Sequence, residues 1–373
     1  MFDLTKWQRI VLKVGSTLIA PDGKGCSSRY LLAIAHFVVR CRAMGIQVVL
    51  VSSGSVAAGK HLFSDNVTNN RDVSITLKKA MAAAGQSEMM AAWDRLFDFP
   101  TAQLLLTQDV LQDHASYTSV RKTVFELLDH DILPVINEND AVSTDNLKVG
   151  DNDNLSAMAA AAVDADCLII CSDVDGLYDK NPSQHSDAKL IHQVDNIDSN
   201  ILSMAGDSVS GLGTGGMFTK LEAAQKATAH GILTFILNGL KESSFNQLLQ
   251  GQNPGTCFMP AETPMQEKVH WLTHTSQARG EVIVNNNIQA KLQDADLKLD
   301  YSDIVDVNGD FAAGDTVLVR DEAGKKIAKA TSRSSSCLLY FLTSDDVDDS
   351  IVESAQISGP VIVKNELAVL ETK

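Results

Sequence analysis

Two lysines far apart in the chain stand beside glycines and hydroxyl residues, a pattern suited to binding phosphate. Lys13 begins the segment KVGST directly after an apolar run, and Lys220 ends the segment GTGGMFTK directly before an Ala-rich stretch. A glycine-rich turn before a helix offers an anion backbone N–H groups and the positive end of the helix dipole, and a lysine adds a point charge. The order G-x-x-x-x-G-K-[ST] of a P-loop is absent, so the pattern indicates phosphate binding by a different arrangement.

Carboxylate, amide and hydroxyl residues follow other apolar runs. Asn137–Asp140 (NEND) comes after one run, and Asp151–Asn154 (DNDN) opens an Ala-rich stretch. One Asp or Asn is enough to cap a helix, so the surplus favours a site for an amine, a metal or a lysine ammonium. Ser52–Gly59 can hold a carboxylate or phosphate through N–H groups and hydroxyls. Ser172 and Asp173 end a further run and leave room for a planar base or a ribose.

These motifs need a scaffold, and the hydrophobic pattern predicts one. Short β-branched runs alternate with Ala- and Leu-rich stretches up to about residue 250. The predicted strands are Arg9–Val14, Gln47–Val51, Ala102–Leu106, Ile132–Ile136, Cys167–Cys171 and Leu233–Leu237. The predicted helices are Tyr30–Met44, Ser74–Leu96, Ser116–Asp129, Asn154–Val163 and Lys220–His230. This alternation predicts an α/β fold of three layers, an open and mostly parallel sheet with helices on both faces. Ligands bind at the carboxyl ends of such strands, where the polar motifs lie.

The pattern changes toward the end of the chain. Residues 1–255 are predicted to form the catalytic domain, 256–277 a linker interrupted by prolines, and 278–373 a small β-rich domain. The strands predicted there are Glu281–Val284, Ile304–Val307, Thr316–Arg320, Leu338–Leu342 and Pro360–Lys364. Short strands separated by Gly and Asp turns are typical of such a domain.

Composition excludes several classes of protein. With 45% hydrophobic and 21% charged residues, the chain is neither disordered nor a coiled coil. Its apolar runs are too short to span a bilayer and no signal peptide is evident, so we expect a cytoplasmic protein without membrane contact. The net charge of −16 argues against nucleic acid as a partner. Six cysteines without a C-x-x-C pair predict reduced thiols and neither a zinc site nor a disulfide.

Seven segments together resemble, in this order, the motifs of glutamate 5-kinases, members of the amino acid kinase superfamily. They are KVGST, SSGSVAAGK, AAAGQSEMM, PVINENDAV, KVGDNDNLSA, SDVDGLYDKNP and AGDSVSGLGTGGMFTK. The resemblance covers roughly residues 7–260, and the β-rich tail resembles a PUA domain. It implies transfer of a phosphoryl group from ATP, with Mg²⁺, to the γ-carboxylate of L-glutamate, the first step of proline synthesis. It also implies feedback inhibition by proline and a homo-oligomer, a dimer or tetramer.

The resemblance also implies a role for each matching residue. Lys13 and Lys220 would neutralise the transferring phosphoryl group, and Asp153 would orient them. The residues implied in substrate binding are Ser53, Asn137, Asp140, Asp151 and Asn152. Besides the two lysines, those implied in ATP binding are Ser172, Asp173, Thr214, Gly215, Gly216, Met217, Phe218 and Thr219. No ligand of Mg²⁺ is assigned among the protein residues.

Two other readings remain open. A kinase of the same superfamily that acts on aspartate, N-acetylglutamate, carbamate or UMP would share the fold and the lysines. A role in binding RNA through the PUA-like domain is the other, although residues 278–373 carry 10 Lys and Arg against 17 Asp and Glu. A domain that contacts phosphates should show a basic face. A second, reductase activity is excluded because no dinucleotide-binding fingerprint follows Gly251.

Overall fold

The computed structural model describes residues 1–64, 73–143, 151–205, 216–343 and 359–370. These fall into two compact units, one of residues 1–108 and 118–264, the other of residues 109–117 and 265–373.

The first unit contains an eight-stranded sheet whose strand order is β3-β4-β2-β1-β5-β7-β8-β6. The strands are β1 Arg9–Val14, β2 Gln47–Ser52, β3 Thr101–Leu106, β4 Leu133–Glu138, β5 Cys167–Ser172, β6 Gln193–Val194, β7 Leu233–Asn238 and β8 Thr256–Phe258. All neighbouring pairs are parallel except β7 and β8. The six strands predicted from the sequence are therefore confirmed. The mostly parallel sheet is confirmed with them.

Helices connect these strands. They are α1 Ser16–Ile19, α2 Ser28–Ala43, α3 Ser55–Gly59, α4 Ile75–Asp94, α5 Gln108–Gln112, α6 His114–Asp129, α7 Asn152–Ala162, α8 Ser199–Met204, α9 Met217–Ala229 and α10 Glu242–Leu249. Helices α2 and α4 begin at serine caps, Ser27 and Ser74, whose hydroxyls accept from backbone N–H groups. Among the described residues, every helix is too short or too polar to cross a bilayer.

Alternation along β1 shows that helices cover both faces of the sheet. Ile10, Leu12 and Val14 pack in one buried cluster with α2 and α10. Successive strand residues point to opposite faces, so Lys13 points away from that cluster. Its ammonium group meets α7, which lies on the other face. The three layers expected from the sequence are confirmed.

The second unit begins with α11 Glu267–His274 and is built mainly from strands. Its five-stranded sheet has the order β11-β9-β12-β13-β15, and a two-stranded sheet pairs β10 with β14. The strands are β9 Gly280–Val284, β10 Lys298–Leu299, β11 Ile304–Gly309, β12 Thr316–Asp321, β13 Lys326–Thr331, β14 Ile362–Val363 and β15 Leu367–Val369. Helices α12 Ile288–Lys291 and α13 Ser336–Thr343 complete it.

Three expectations for local structure have different outcomes. The strand predicted over Leu338–Leu342 is wrong, because these residues lie in α13, where Leu339 and Leu342 are buried one helical turn apart. The segment 256–277, expected to be a linker, contains the regular elements β8 and α11. All six cysteines are free thiols, as predicted.

Candidate active site

A buried aspartate lies between two buried lysines at the carboxyl end of β1. Asp153 Oδ1 lies 2.6 Å from Lys13 Nζ, and Asp153 Oδ2 lies 3.2 Å from Lys220 Nζ. The hydroxyl of Thr219 also donates to Asp153 Oδ2, at 2.8 Å. We call Lys13, Asp153, Thr219 and Lys220 the ion-pair cluster. Each of the three charged side chains is less than a tenth exposed, so the cluster holds a net positive charge that is shielded from water.

Three separate elements bring this cluster together. Lys13 is the last residue of β1 on the face covered by α7. Asp151 caps α7 by accepting from the backbone N–H of Asn154, which places Asp153 in the first turn. Gly216 caps α9 in extended backbone conformation and places Thr219 and Lys220 in the first turn of that helix. The chain therefore aims two helix N-termini and one strand end at the same point.

The charges of the cluster depend on one another. Burial raises the pKa of Asp153, but the ammonium groups of Lys13 and Lys220 outweigh it and hold the pKa well below the usual range of a carboxyl group. Burial also lowers the pKa of Lys220, and the carboxylate of Asp153 opposes that shift. Asp153 thus favours the charged form of Lys220 and holds the two ammonium groups close together. An anion placed over them would meet a preformed positive site.

A second polar cluster lies at the carboxyl end of β4. Asn137 Nδ2 donates to Gln86 Oε1 at 2.8 Å, and Ser55 Oγ donates to Asp140 Oδ2 at 2.7 Å. We call Ser55, Gln86, Asn137 and Asp140 the β4 cluster. Asn137 and Asp140 were predicted to bind substrate, whereas Ser55 and Gln86 were not predicted individually. Both belong to motifs noted in the sequence, SSGSVAAGK and AAAGQSEMM.

A close crossing of two helices fixes the β4 cluster. A Cβ atom added to Gly85 of α4 would lie 2.0 Å from the carbonyl oxygen of Ser55, and one added to Gly59 of α3 would lie 2.0 Å from that of Met81. Only glycine allows such an approach of two backbones. Since Gly85 precedes Gln86, the crossing sets the position of Gln86 relative to Ser55.

The other predicted residues lie around the same edge of the sheet. Ser53 follows β2 and its N–H donates to Val14 O, while Asn152 Oδ1 accepts from the N–H of Glu138. Ser172 ends β5 and its hydroxyl donates to Asp173. Burial lowers the pKa of Lys220, and the negative charge of Asp173 partly opposes that shift, so Asp173 lies close enough to interact with the cluster. Met217 and Phe218 begin α9, and Thr214 and Gly215 lie outside the described residues.

Two polar networks at this edge were not predicted. Lys226 Nζ donates to Asn154 Oδ1, and Asn154 Nδ2 donates to Asp151 Oδ2. Asp175 accepts from Asn238 and Lys241. Lys226 lies six residues after Lys220 on α9, a spacing that carries no signal of its own, so only the folded structure reveals the first network.

Among the described residues, no group of three or more His, Cys, Asp or Glu side chains is arranged to hold a metal ion. Both oxygens of Asp153 face lysines. The lysines of this edge therefore suit an anionic ligand.

Comparison with known proteins agrees with this geometry. The family description "Amino acid kinase family" matches residues 8–238. The chain is 58% identical over 365 residues to "Glutamate 5-kinase 1" of Pseudoalteromonas translucida, covering 98% of each chain. The chain belongs to the glutamate 5-kinases of the amino acid kinase family. A second glutamate 5-kinase, from Idiomarina loihiensis, is 52% identical over 98% of each chain, and one from Salinibacter ruber is 46% identical over 86% of this chain and 85% of its own.

Membership of the family accounts for the resemblance of the seven motifs. The match to the family description ends at the last residue of β7, within the first unit. The relatives, in contrast, align along both units.

Proposed function

We propose that this chain transfers the γ-phosphoryl group of ATP to the γ-carboxylate of L-glutamate and releases ADP and L-glutamyl 5-phosphate, the first step of proline synthesis. One observation carries the proposal. Two buried lysines converge on one aspartate at the carboxyl edge of the sheet, in a chain whose relatives along nearly its whole length are named glutamate 5-kinases.

The reaction needs charge neutralisation and no general base. The γ-carboxylate of glutamate is already ionised at neutral pH. One of its oxygens attacks the γ-phosphorus, and the bond from that phosphorus to the β,γ-bridging oxygen breaks, so ADP leaves without any proton transfer. Lys13 and Lys220 neutralise the charge that spreads over the phosphoryl oxygens. Asp153 keeps the lysines at a fixed separation.

We assign the two substrates to two sides of the lysines, and the strand order β4-β2-β1-β5-β7 supports this assignment. The acceptor lies toward β2 and β4, where Ser53, Asn137 and Asp140 bind it together with Asp151 and Asn152 at the start of α7. The nucleotide lies toward β5 and β7, where it meets Ser172, Asp173 and the segment from Thr214 to Lys220. The described residues of the two sets follow strands on opposite sides of β1.

Mg²⁺ enters with the nucleotide as MgATP. Mg²⁺ keeps several waters and binds phosphate oxygens more readily than a protein cage. That preference is consistent with an edge where the one carboxylate of the ion-pair cluster, Asp153, already faces two lysines.

The same proposal includes the finer properties of the family. The chain acts in the cytoplasm as a homo-oligomer, a dimer or tetramer, and proline inhibits it by feedback. Residues 1–255 form the catalytic domain and residues 278–373 a PUA-like domain, and residues 256–277, which contain β8 and α11, connect them. The excess of acidic residues in that domain disfavours RNA as its main ligand.

The test is ADP release from MgATP with L-glutamate, aspartate, N-acetylglutamate, carbamate and UMP offered separately. Hydroxylamine in a parallel reaction traps an acyl phosphate as a hydroxamate. We expect turnover with L-glutamate and a trapped γ-glutamyl hydroxamate. Turnover with a different acceptor, or with none, contradicts the proposal. A Lys13→Met variant controls for contaminating ATPases.

A further inference from the structure

Two buried amide groups of the β4 cluster have unused hydrogen-bonding capacity. Asn137 and Gln86 share one hydrogen bond. Gln86 Nε2 and Asn137 Oδ1 are shielded from water and have no hydrogen-bond partner among the described residues. A buried polar group without a partner is destabilising, so such groups in a native protein call for a partner. Here one donor and one acceptor remain beside each other.

In this orientation of the two amides, Gln86 supplies the free NH₂ group and Asn137 supplies the free carbonyl oxygen among the described residues. Two primary amides joined by one N–H···O bond always leave one NH₂ group and one carbonyl oxygen. The remaining pair suits a ligand that presents an anionic acceptor and a cationic donor on adjacent atoms. The α-carboxylate and α-ammonium groups of a free amino acid have that arrangement.

The distance from the lysines fits the length of the acceptor. β4 and β1 are separated by β2 alone, so their ends lie about 10 Å apart at the usual spacing of strands. A glutamate whose γ-carboxylate meets a phosphoryl group over Lys13 therefore extends its α end toward β4. The carboxylate of Asp140, which ends the same polar segment, adds negative charge that favours an ammonium group there.

We propose that Gln86 and Asn137 together recognise the α-amino-acid end of the acceptor, the NH₂ group binding the α-carboxylate and the carbonyl oxygen accepting from the α-ammonium. Gln86 is thereby a specificity-determining residue. This inference rests on the proposed function, since it names the contacts of the same acceptor. The glycine crossing of α3 and α4 keeps Gln86 in place before the substrate arrives, and such preorganisation sharpens selection.

The experiment measures how substitutions of one residue, Gln86, change the preference for glutamate over two of its analogues. Glutarate lacks only the α-ammonium group of glutamate, and 4-aminobutanoate lacks only the α-carboxylate. Gln86→Glu keeps the size of the side chain and the acceptor for Asn137 but replaces the free donor with an oxygen. Gln86→Leu removes the donor without adding charge. Gln103→Glu on β3 is the matched control, because it makes the same chemical change at an exposed position.

We expect Gln86→Glu and Gln86→Leu to raise the KM for L-glutamate about 10- to 100-fold, the loss typical of a hydrogen bond to a charged group. The KM for ATP should stay within about twofold in the same variants. The preference for glutamate over 4-aminobutanoate, taken from KM or inhibition constants, should collapse. The preference for glutamate over glutarate should decrease less than the preference over 4-aminobutanoate, because Asn137 and Asp140 still contact the ammonium group. Gln103→Glu should change none of these values.

An unchanged KM for glutamate in both Gln86 variants overturns the inference. Equal increases in the KM values for glutamate and ATP also overturn it, because they indicate a structural role. Failure of the proposed function is distinguishable, since the unaltered protein would then not turn over L-glutamate at all.

Discussion

Each unit of the molecule contains a carboxylate held between two cations, and the two arrangements differ in burial. In the first unit Asp153 lies between Lys13 and Lys220, and its side chain is 2% exposed. In the second unit Glu366 lies 2.8 Å from Lys268 and 2.9 Å from Arg333, with exposed fractions of 17%, 32% and 47%. In both, burial raises the pKa of the carboxyl and the neighbouring cations lower it further than burial raises it.

The difference in burial indicates which of the two carboxylate–cation arrangements can support catalysis. Water and salt screen an exposed ion pair, so the cations around Glu366 present a weak potential to any ligand. Around Asp153 the low dielectric constant of the buried site strengthens the interactions between charges. The two lysines leave one positive charge in excess, which favours binding of an anion. Similar residue types thus stabilise the surface in one unit and form the phosphate site that we propose in the other.

The largest expected effect tests whether the buried cations carry the chemistry. Lys13→Met should lower kcat about 10³-fold, because a preorganised positive charge is lost from the transition state. Lys268→Met removes a cation from the exposed arrangement and should leave kcat within about twofold. Steady-state kinetics with saturating MgATP and glutamate measure both. Similar losses in the two variants would contradict the distinction.

A smaller effect concerns stability. Asp153→Asn removes the buried carboxylate that faces Lys13 and Lys220 and should lower the free energy of unfolding by about 3 kcal/mol. Glu366→Gln makes the same change in the exposed arrangement and should cost about 1 kcal/mol or less. Urea unfolding without nucleotide measures both. The comparison fails when the Glu366 variant loses as much stability as the Asp153 variant.

The smallest effect sharpens the electrostatic side of the comparison. Burial lowers the pKa of Lys220, so its ammonium group loses its proton at a lower pH than an ordinary lysine. We expect kcat/KM for MgATP, which reports groups of the free enzyme, to fall as pH rises, with a midpoint below about 10.4, the usual lysine value. Lys220→Arg keeps its charge at that pH and should lose this alkaline decline, although its absolute rate is lower. The same alkaline decline in the Lys220→Arg variant would show that a group other than Lys220 causes it.

Local sequence pattern predicted the strands and the polar motifs at their ends. The runs ending at Lys13 and Ser172 are continuous and apolar, as buried parallel strands require, and the surplus of polar residues at Asp151–Asn154 exceeds what a helix cap needs. These signals lie within a few residues of each other. Interactions between residues close in sequence are therefore enough to predict that Asp153 lies at the start of α7.

Contacts between distant segments could not be predicted in this way. The bond between Gln86 and Asn137 joins residues 51 apart in sequence, and it depends on a helix crossing that two isolated glycines permit. The strand predicted over Leu338–Leu342 fails for a related reason, since a short apolar run fits a buried helix turn as well as a strand. Tertiary packing, absent from the local pattern, decides both.

The short segment Asp109–Tyr117 has a consequence for how the gene can be divided. It belongs to the second unit, where Leu111 O accepts from the indole N–H of Trp271 and His114 meets the same ring edge-on. The coding region for this unit is thus split, with nine codons lying inside the region that encodes the sheet. A fragment expressed from Met265 onward lacks the acceptor for its own tryptophan, and exchanging this unit between relatives requires two pieces of DNA rather than one.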